Sequence, residues 1–138
     1  MRIRPTIIVL AAGSGSRFGG PLHKLAQPFD GTTVLGATVR QAIQSQLPVV
    51  VVTTELLARQ LTTPLATRDI VLLSEAEAAR GMGFSIATGV AERSGVPGWL
   101  VLPGDMPLVR PSSIQRVAQG LAHHAVVFAQ HRGRRGHP

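Results

Sequence analysis

The sequence predicts an α/β domain: a mostly parallel sheet with helices on both faces. Two observations carry this. Short β-branched runs alternate with segments of helical period along the whole chain. The runs are also continuously apolar rather than alternating, as expected of strands buried on both faces. Alternation of this kind implies parallel strands joined by right-handed crossovers.

In order, residues 6–11 form the first strand and a glycine-rich loop covers 12–21. Asp30-Gly31 marks a turn. Residues 34–43 carry a helical pattern, with Leu35, Val39 and Ile43 spaced by four. Pro48 opens a second strand at 49–52 that ends on Thr53-Thr54, and a short helix covers 55–60. Residues 70–73 are the third strand, and 81–90 are helical with Ile86 and Val90 on one face. Residues 99–102 are the fourth strand, opened by Trp99, which is read as a packing residue. Pro111 suits the first position of a helix. Ile114, Val117, Ala118 and Leu121 then follow at helical spacing and give that helix one buried face. Residues 125–129 are a fifth strand candidate, and 131–138 are basic without an apolar pattern.

Composition bounds the function. A chain of 138 residues with 44% hydrophobic content suits one domain with a sizeable core and excludes disorder. Four Phe, one Trp and no Tyr leave few platforms for a base-stacking single-strand binder. The absence of Cys excludes disulfides and thiolate chemistry and fits a reducing cytoplasm. The formal charge of +7 favours anionic partners or serves solubility. No apolar run approaches the roughly 20 residues of a membrane span. Residues 6–12 read as a buried strand rather than a signal peptide, because they run directly into the glycines.

Chemistry concentrates beyond two strand ends, where open α/β sheets bind ligands. Gly13, Gly15, Gly19 and Gly20 crowd directly behind the first strand. Glycines let backbone amides turn toward an anion, so the loop reads as a phosphate cradle. It is not the dinucleotide fingerprint, because Phe18 stands where the third glycine belongs, nor a P-loop, because Pro21 follows Gly20. Arg17 and Lys24 supply cations for a triphosphate. After the fourth strand comes Asp105, which suits Mg²⁺ held jointly with substrate phosphates. From spacing alone it suits a turn-forming role equally well. No carboxylate follows it in the chain. The five His residues show no tight metal-ligand spacing, and His123-His124 sits at a helix end where a cation suits the dipole. Arg132, Arg134 and Arg135 suit a phosphate-bearing acceptor, nucleic acid or a solvated chain end.

Three blocks, Leu10-Ala-Ala-Gly-Ser-Gly-Ser-Arg-Phe-Gly19 with Lys24, Gly81-Met-Gly-Phe-Ser-Ile-Ala-Thr-Gly89 and Leu102-Pro-Gly-Asp-Met-Pro-Leu108, together resemble the molybdenum cofactor nucleotidyltransferase family, MobA-like NTP transferases. The closing Gly133-Arg-Arg-Gly-His-Pro138 resembles a further segment of it. The first block is shared with sugar-nucleotide and isoprenoid-pathway cytidylyltransferases. The resemblance implies a Rossmann-like sheet of the nucleotide-diphospho-sugar-transferase type. It implies Mg²⁺-dependent transfer of a nucleotide from an NTP to molybdopterin, with release of pyrophosphate. The form Leu10-Ala-Ala-Gly13 is similar to the cytidylyl branch, so CTP is favoured over GTP. A molybdoenzyme or its chaperone is the implied receiving partner; membrane and nucleic acid are not.

Residue roles follow from the same resemblance. Leu10, Ala11, Ala12, Gly13, Ser14 and Gly15 would hold the triphosphate through the backbone. Arg17 and Lys24 would stabilise the leaving pyrophosphate, and Asp105 would bind Mg²⁺. Gly81, Met82 and Ser85 would open a helix over the nucleotide or acceptor, and His137 would lie toward the acceptor. The family also implies a C-terminal segment with a second metal carboxylate past Gly-His-Pro, so the sequence reads as a single domain shortened at that end. Transfer to another phosphorylated acceptor, a sugar or an isoprenoid precursor, and non-catalytic nucleotide or RNA binding are the competing readings.

Overall fold

The structure, a computed structural model, describes residues 4–13, 23–63, 65–131 and 134–135; for 130, 131, 134 and 135 it describes the backbone alone. Its centre is a four-stranded parallel sheet of β1 (Thr6–Ala11), β4 (Val49–Thr54), β5 (Ile70–Leu73) and β6 (Trp99–Pro103). The order is β5-β4-β1-β6. Between β1 and β4 lie a short hairpin, β2 (Pro28–Phe29) with β3 (Thr32–Thr33), and helix α1 (Val34–Gln44). Helices α2 (Glu55–Arg59), α3 (Glu75–Ala78), α4 (Met82–Glu92) and α5 (Pro111–Gly120) fill the later crossovers and the segment after β6. A two-residue hairpin of β7 (Gln130–His131) and β8 (Arg134–Arg135) follows.

Alternate residues of β1 face opposite layers. Ile7, Val9 and Ala11 join Val49 and Val51 of β4 beneath α1 and α5, through Leu35, Val39, Ala42, Ile114 and Ala118. Ile8 joins Val50, Val52 and Leu73 on the other face, covered by Phe84 and Val90 of α4. This is why the strands lack polar alternation: both faces are dry. Each fully buried Ile or Val contributes roughly 1.5–3 kcal/mol, and Ile7, Ile8, Val9, Val50, Val51 and Val52 are all in that state.

The predicted parallel sheet and its four strands are present, as are the helices opening at Val34, Glu55, Met82 and Pro111. Asp30-Gly31 forms the hairpin turn, with φ positive at both residues, the geometry that matches strand twist in two-residue loops. Trp99 packs as expected and donates its indole N–H to Arg93 O.

Ile43 is 37% exposed, and Ala42 takes the inner position of α1. One expectation is corrected. Residues 125–129 form no strand. The side chain of Val127 sits against the bare Cα of Gly120, so the segment crosses the end of α5 instead of pairing along β6. Val126 and Phe128 are left largely exposed, beside an apolar groove between β6 and α5. Helix α3 and the hairpins β2–β3 and β7–β8 lie outside the sequence reading. A reciprocal cap starts α3: Ser74 Oγ accepts from Glu77 N–H while Glu77 Oε1 accepts from Ser74 N–H.

Two checks follow. A Cβ at Gly89 would meet Ile8 Cγ2 at 2.8 Å, inside the closed face of the sheet, whereas one at Gly83 would meet nothing. Both sit in α4, where alanine gains roughly 0.5–1 kcal/mol over glycine. Gly83→Ala is therefore expected to raise the unfolding free energy by about half a kcal/mol. Gly89→Ala is expected to lower it by about 1–2 kcal/mol, because overpacking outweighs propensity. Urea melts of the two variants decide; equal shifts would refute the assignment.

The second concerns acid. Hydrogen bonding from the Ser74 backbone, then from its hydroxyl, holds the Glu77 carboxyl below its ordinary value. A depressed carboxylate stabilises above its unfolded pKa and loses that contribution as pH falls through the folded value. Amide-exchange protection of α3 is expected to drop on that acidification, and Ser74→Ala, which removes the hydroxyl but keeps the backbone N–H, to weaken the dependence. Protection insensitive to both would show that the cap is idle.

Candidate functional site

In a 3-2-1-4 strand order, chain connections leave the central strand in opposite directions. That opens a crevice beyond the carboxyl ends of β1 and β6. A cavity of about 360 Å³ occupies the crevice, lined by Leu10, Ala12, Gly13, His23, Lys24, Leu25, Ala78, Gly81, Met82, Ser85, Pro103, Gly104 and Asp105. It shares Ala12, Gly13, Ala78 and Gly81 with a wider cleft running past the ends of β4 and β5. Every site residue expected from sequence lines the first cavity if it is described, except Ala11, which is buried beside it. Ser14, Gly15, Arg17 and His137 lie outside the described residues.

The end of β1 is fixed from both sides. Register pairs Leu10 with Pro103 and Ala11 with Thr53. Leu10 O accepts from Gly104 N–H at 2.8 Å, and Ala11 O accepts from the buried Thr53 hydroxyl at 2.9 Å. Ala12 then packs into the core face formed by Ile8, Val52 and Leu73. The chain enters the glycine segment from a rigid platform.

Asp105 owes its position to Gly104. A Cβ there would come within 2.8 Å of Leu10 O and 3.1 Å of Leu35 Cδ1, so only glycine lets the turn after β6 lie against β1. The buried hydroxyl of Thr38 in α1 shares its proton between Gly104 O at 2.8 Å and Val34 O at 3.0 Å. With its N–H and C=O both bound, Gly104 presents the next side chain to the crevice.

Lys24 arrives from the other wall. It begins a 3-10 turn, Lys24–Ala26, whose Leu25 and Ala26 are buried in the core beside α1. Its Nζ lies 3.2 Å from Asp105 Oδ2. Both side chains are nearly half exposed. Such a pair contributes at most about 1 kcal/mol, so stability does not explain why opposite charges meet here. A cation and a hard oxygen donor at one point match the needs of a metal-bridged triphosphate. Among the described residues no group of three or more His, Asp or Glu could enclose a metal without help from substrate.

The third wall is the start of α4. Gly81 caps it at φ 98°, a conformation that favours glycine, and among the described residues no side chain caps its first amides. Uncapped N–H groups at a helix N-terminus favour an anion. Buried Ser85 donates its hydroxyl back to Gly81 O, and Met82 stands half exposed at the rim.

One polar side chain of the lining, His23, lies outside the site residues expected from sequence. His23 accepts the Leu25 N–H on Nδ1 at 3.1 Å, and its Nε2 lies 2.5 Å from Gly13 O. Its place directly before Lys24 is the signal the sequence offers. Also among the described residues, no helix is long and apolar enough to cross a membrane.

Comparison with known proteins identifies the family. Residues 7–138 match the MobA-like NTP transferase domain. The chain is 32% identical over 117 residues to the bifunctional protein GlmU of Burkholderia ambifaria, covering 80% of this chain and 24% of that protein. It thus spans about a quarter of the length of the curated relatives it matches. A nucleotidyl transferase from Methanothermobacter superposes with a TM-score of 0.64 at 29% identity, covering 83% of this chain and 56% of that one. The homolog of Rv0371c from Mycobacterium sp. strain JC1 gives 0.76 at 28% identity, covering 100% and 69%. The chain accordingly has the α/β fold of a nucleotidyltransferase domain, and it belongs to the MobA-like NTP transferase family.

Proposed function

We propose that the domain transfers CMP, in preference to GMP, from a nucleoside triphosphate to the phosphate of a molybdopterin-type acceptor in the cytoplasm. The carrying observation is the meeting of Lys24 and Asp105 at 3.2 Å directly beyond the glycine-bearing end of β1. An acceptor phosphate oxygen attacks the α-phosphorus, the bond to the α–β bridging oxygen breaks, and pyrophosphate leaves. Little covalent chemistry falls to the protein, which positions the reactants and stabilises charge.

Each wall has a share in that work. The backbone from Leu10 to Gly13, continued by Ser14 and Gly15, holds the triphosphate. Lys24, with Arg17, neutralises charge growing on the pyrophosphate. Asp105 would hold Mg²⁺, which takes one or two carboxylates and otherwise substrate oxygens and water; the ion would supply Lewis-acid stabilisation of phosphate charge. The open start of α4, with Gly81, Met82 and Ser85, faces the nucleotide or acceptor, and His137 is assigned to the acceptor side. The preference for CTP rests on the form Leu10-Ala-Ala-Gly13, and molybdopterin on the ordered blocks around Gly81 and Asp105. A molybdoenzyme or its chaperone would take the product. A second reading keeps the same step and replaces the acceptor with a sugar phosphate, and the likeness to the GlmU relatives favours it.

Asp105→Ala is expected to reduce pyrophosphate release from Mg-CTP and acceptor by at least about 100-fold. The folding stability should shift by no more than about 0.5 kcal/mol, as is usual for a half-exposed side chain. Continuous pyrophosphate detection alongside a thermal melt separates the two effects; full activity in the variant would remove Asp105 from the metal site.

Mass analysis of products from a matrix of CTP, GTP and UTP against molybdopterin, sugar 1-phosphates and an isoprenoid phosphate tests the substrates. A cytidylylated pterin is expected. A nucleotide-sugar as the sole product would establish the second reading.

A further inference from the structure

We propose that His23 is a positioning residue for nucleotide binding: its imidazole clasps the Gly13 end of β1 to the turn that carries Lys24. The inference rests on the reading that the crevice takes a nucleoside triphosphate.

The bonding pattern fixes the state of the ring. A backbone N–H can only donate, so Nδ1, which receives Leu25 N–H, carries no proton. A carbonyl oxygen can only accept, so Nε2, which faces Gly13 O, carries one. The neutral ring with its proton on Nε2 satisfies both bonds at once, and no other form does. His23 also caps the 3-10 turn Lys24–Ala26 through the same Nδ1 contact.

A chain of contacts then runs from the core to the crevice. Leu25 and Ala26 are buried against α1 and cannot shift without opening the core. Leu25 N–H holds the ring, and the ring holds Gly13 O. Among the described residues nothing lies within 4 Å of where a Gly13 Cβ would be, and the clasp adds a restraint there. With it, the backbone and the cation that meet the phosphates keep a set separation before substrate arrives, which lowers the ordering cost of binding.

The two ring nitrogens can be tested apart. Glutamine places an N–H donor near the position of Nε2, whereas asparagine places an acceptor near that of Nδ1. Titration calorimetry with Mg-CTP and Mg-GTP would measure wild type, His23→Ala, His23→Gln and His23→Asn. Loss of the tether is expected to weaken affinity about tenfold in His23→Ala, with KM raised and kcat nearly unchanged. His23→Gln is expected to restore most of the affinity, and His23→Asn not to. Unchanged affinity in His23→Ala, or rescue by Asn in place of Gln, would overturn the clasp. Wild type that binds no nucleoside triphosphate would sink the underlying reading instead. The clasp is then judged by amide exchange at Leu25, which should accelerate in His23→Ala but not in His23→Asn; equal exchange in all forms would refute it.

Discussion

Everything at the crevice depends on how the carboxyl end of β1 is held. Two of its carbonyls, Leu10 O and Ala11 O, are bound by neighbours on opposite sides, Gly104 N–H from the β6 wall and the Thr53 hydroxyl from the β4 wall. A buried carbonyl without a partner is costly, and a strand end is where the ladder would otherwise leave one. Satisfying both also fixes the direction in which the chain leaves the sheet. The glycine segment thus starts from a point fixed on both sides. The same bond that satisfies Leu10 brings the β6 turn into contact and delivers Asp105. One constraint thus serves both the cradle and the carboxylate.

The charges around the crevice contribute little to stability and are arranged for another purpose. Lys24 and Asp105 are each nearly half exposed, and their attraction is weakened by water. They reach the same point from different walls, one on a turn anchored by Leu25 and Ala26, the other behind Gly104. The sheet brings together residues 81 positions apart, and the core, not the ion pair, meets the entropic cost. Either side chain can change partner without loosening the fold.

Much of this was legible in the sequence. Strands buried on both faces announce themselves as unbroken runs such as Val49-Val-Val-Val52, and Pro111 marked the start of α5. Asp105 and Gly13 were found because strand ends are where ligands bind. The misses have physical causes. Strands of two residues, as in β2–β3, are too short to show a period, although their Asp30-Gly31 turn was read correctly. Helix α3 has four residues, and its Ser74-x-x-Glu77 cap was readable but carried no apolar stripe behind it. Residues 125–129 have strand-like composition, and only the seat of Val127 on Gly120 sends them elsewhere. His23 acts through two hydrogen bonds to backbone, which no residue spacing encodes.

The Thr38 hydroxyl has a wider consequence. It sits on α1, donates to Gly104 O, and is fully buried between helix and sheet. Helix α1 is thereby a lever with its fulcrum in the core and its short arm at the acidic residue of the crevice. Its outer surface, including Arg40 paired with Asp30 of the hairpin, is remote from the chemistry but mechanically joined to it. Sequence drift on that outer surface is therefore not neutral by distance alone. Substitutions that only recolour the surface should accumulate freely, while those that slide the helix along its axis are screened by what they do to a carboxylate they never touch.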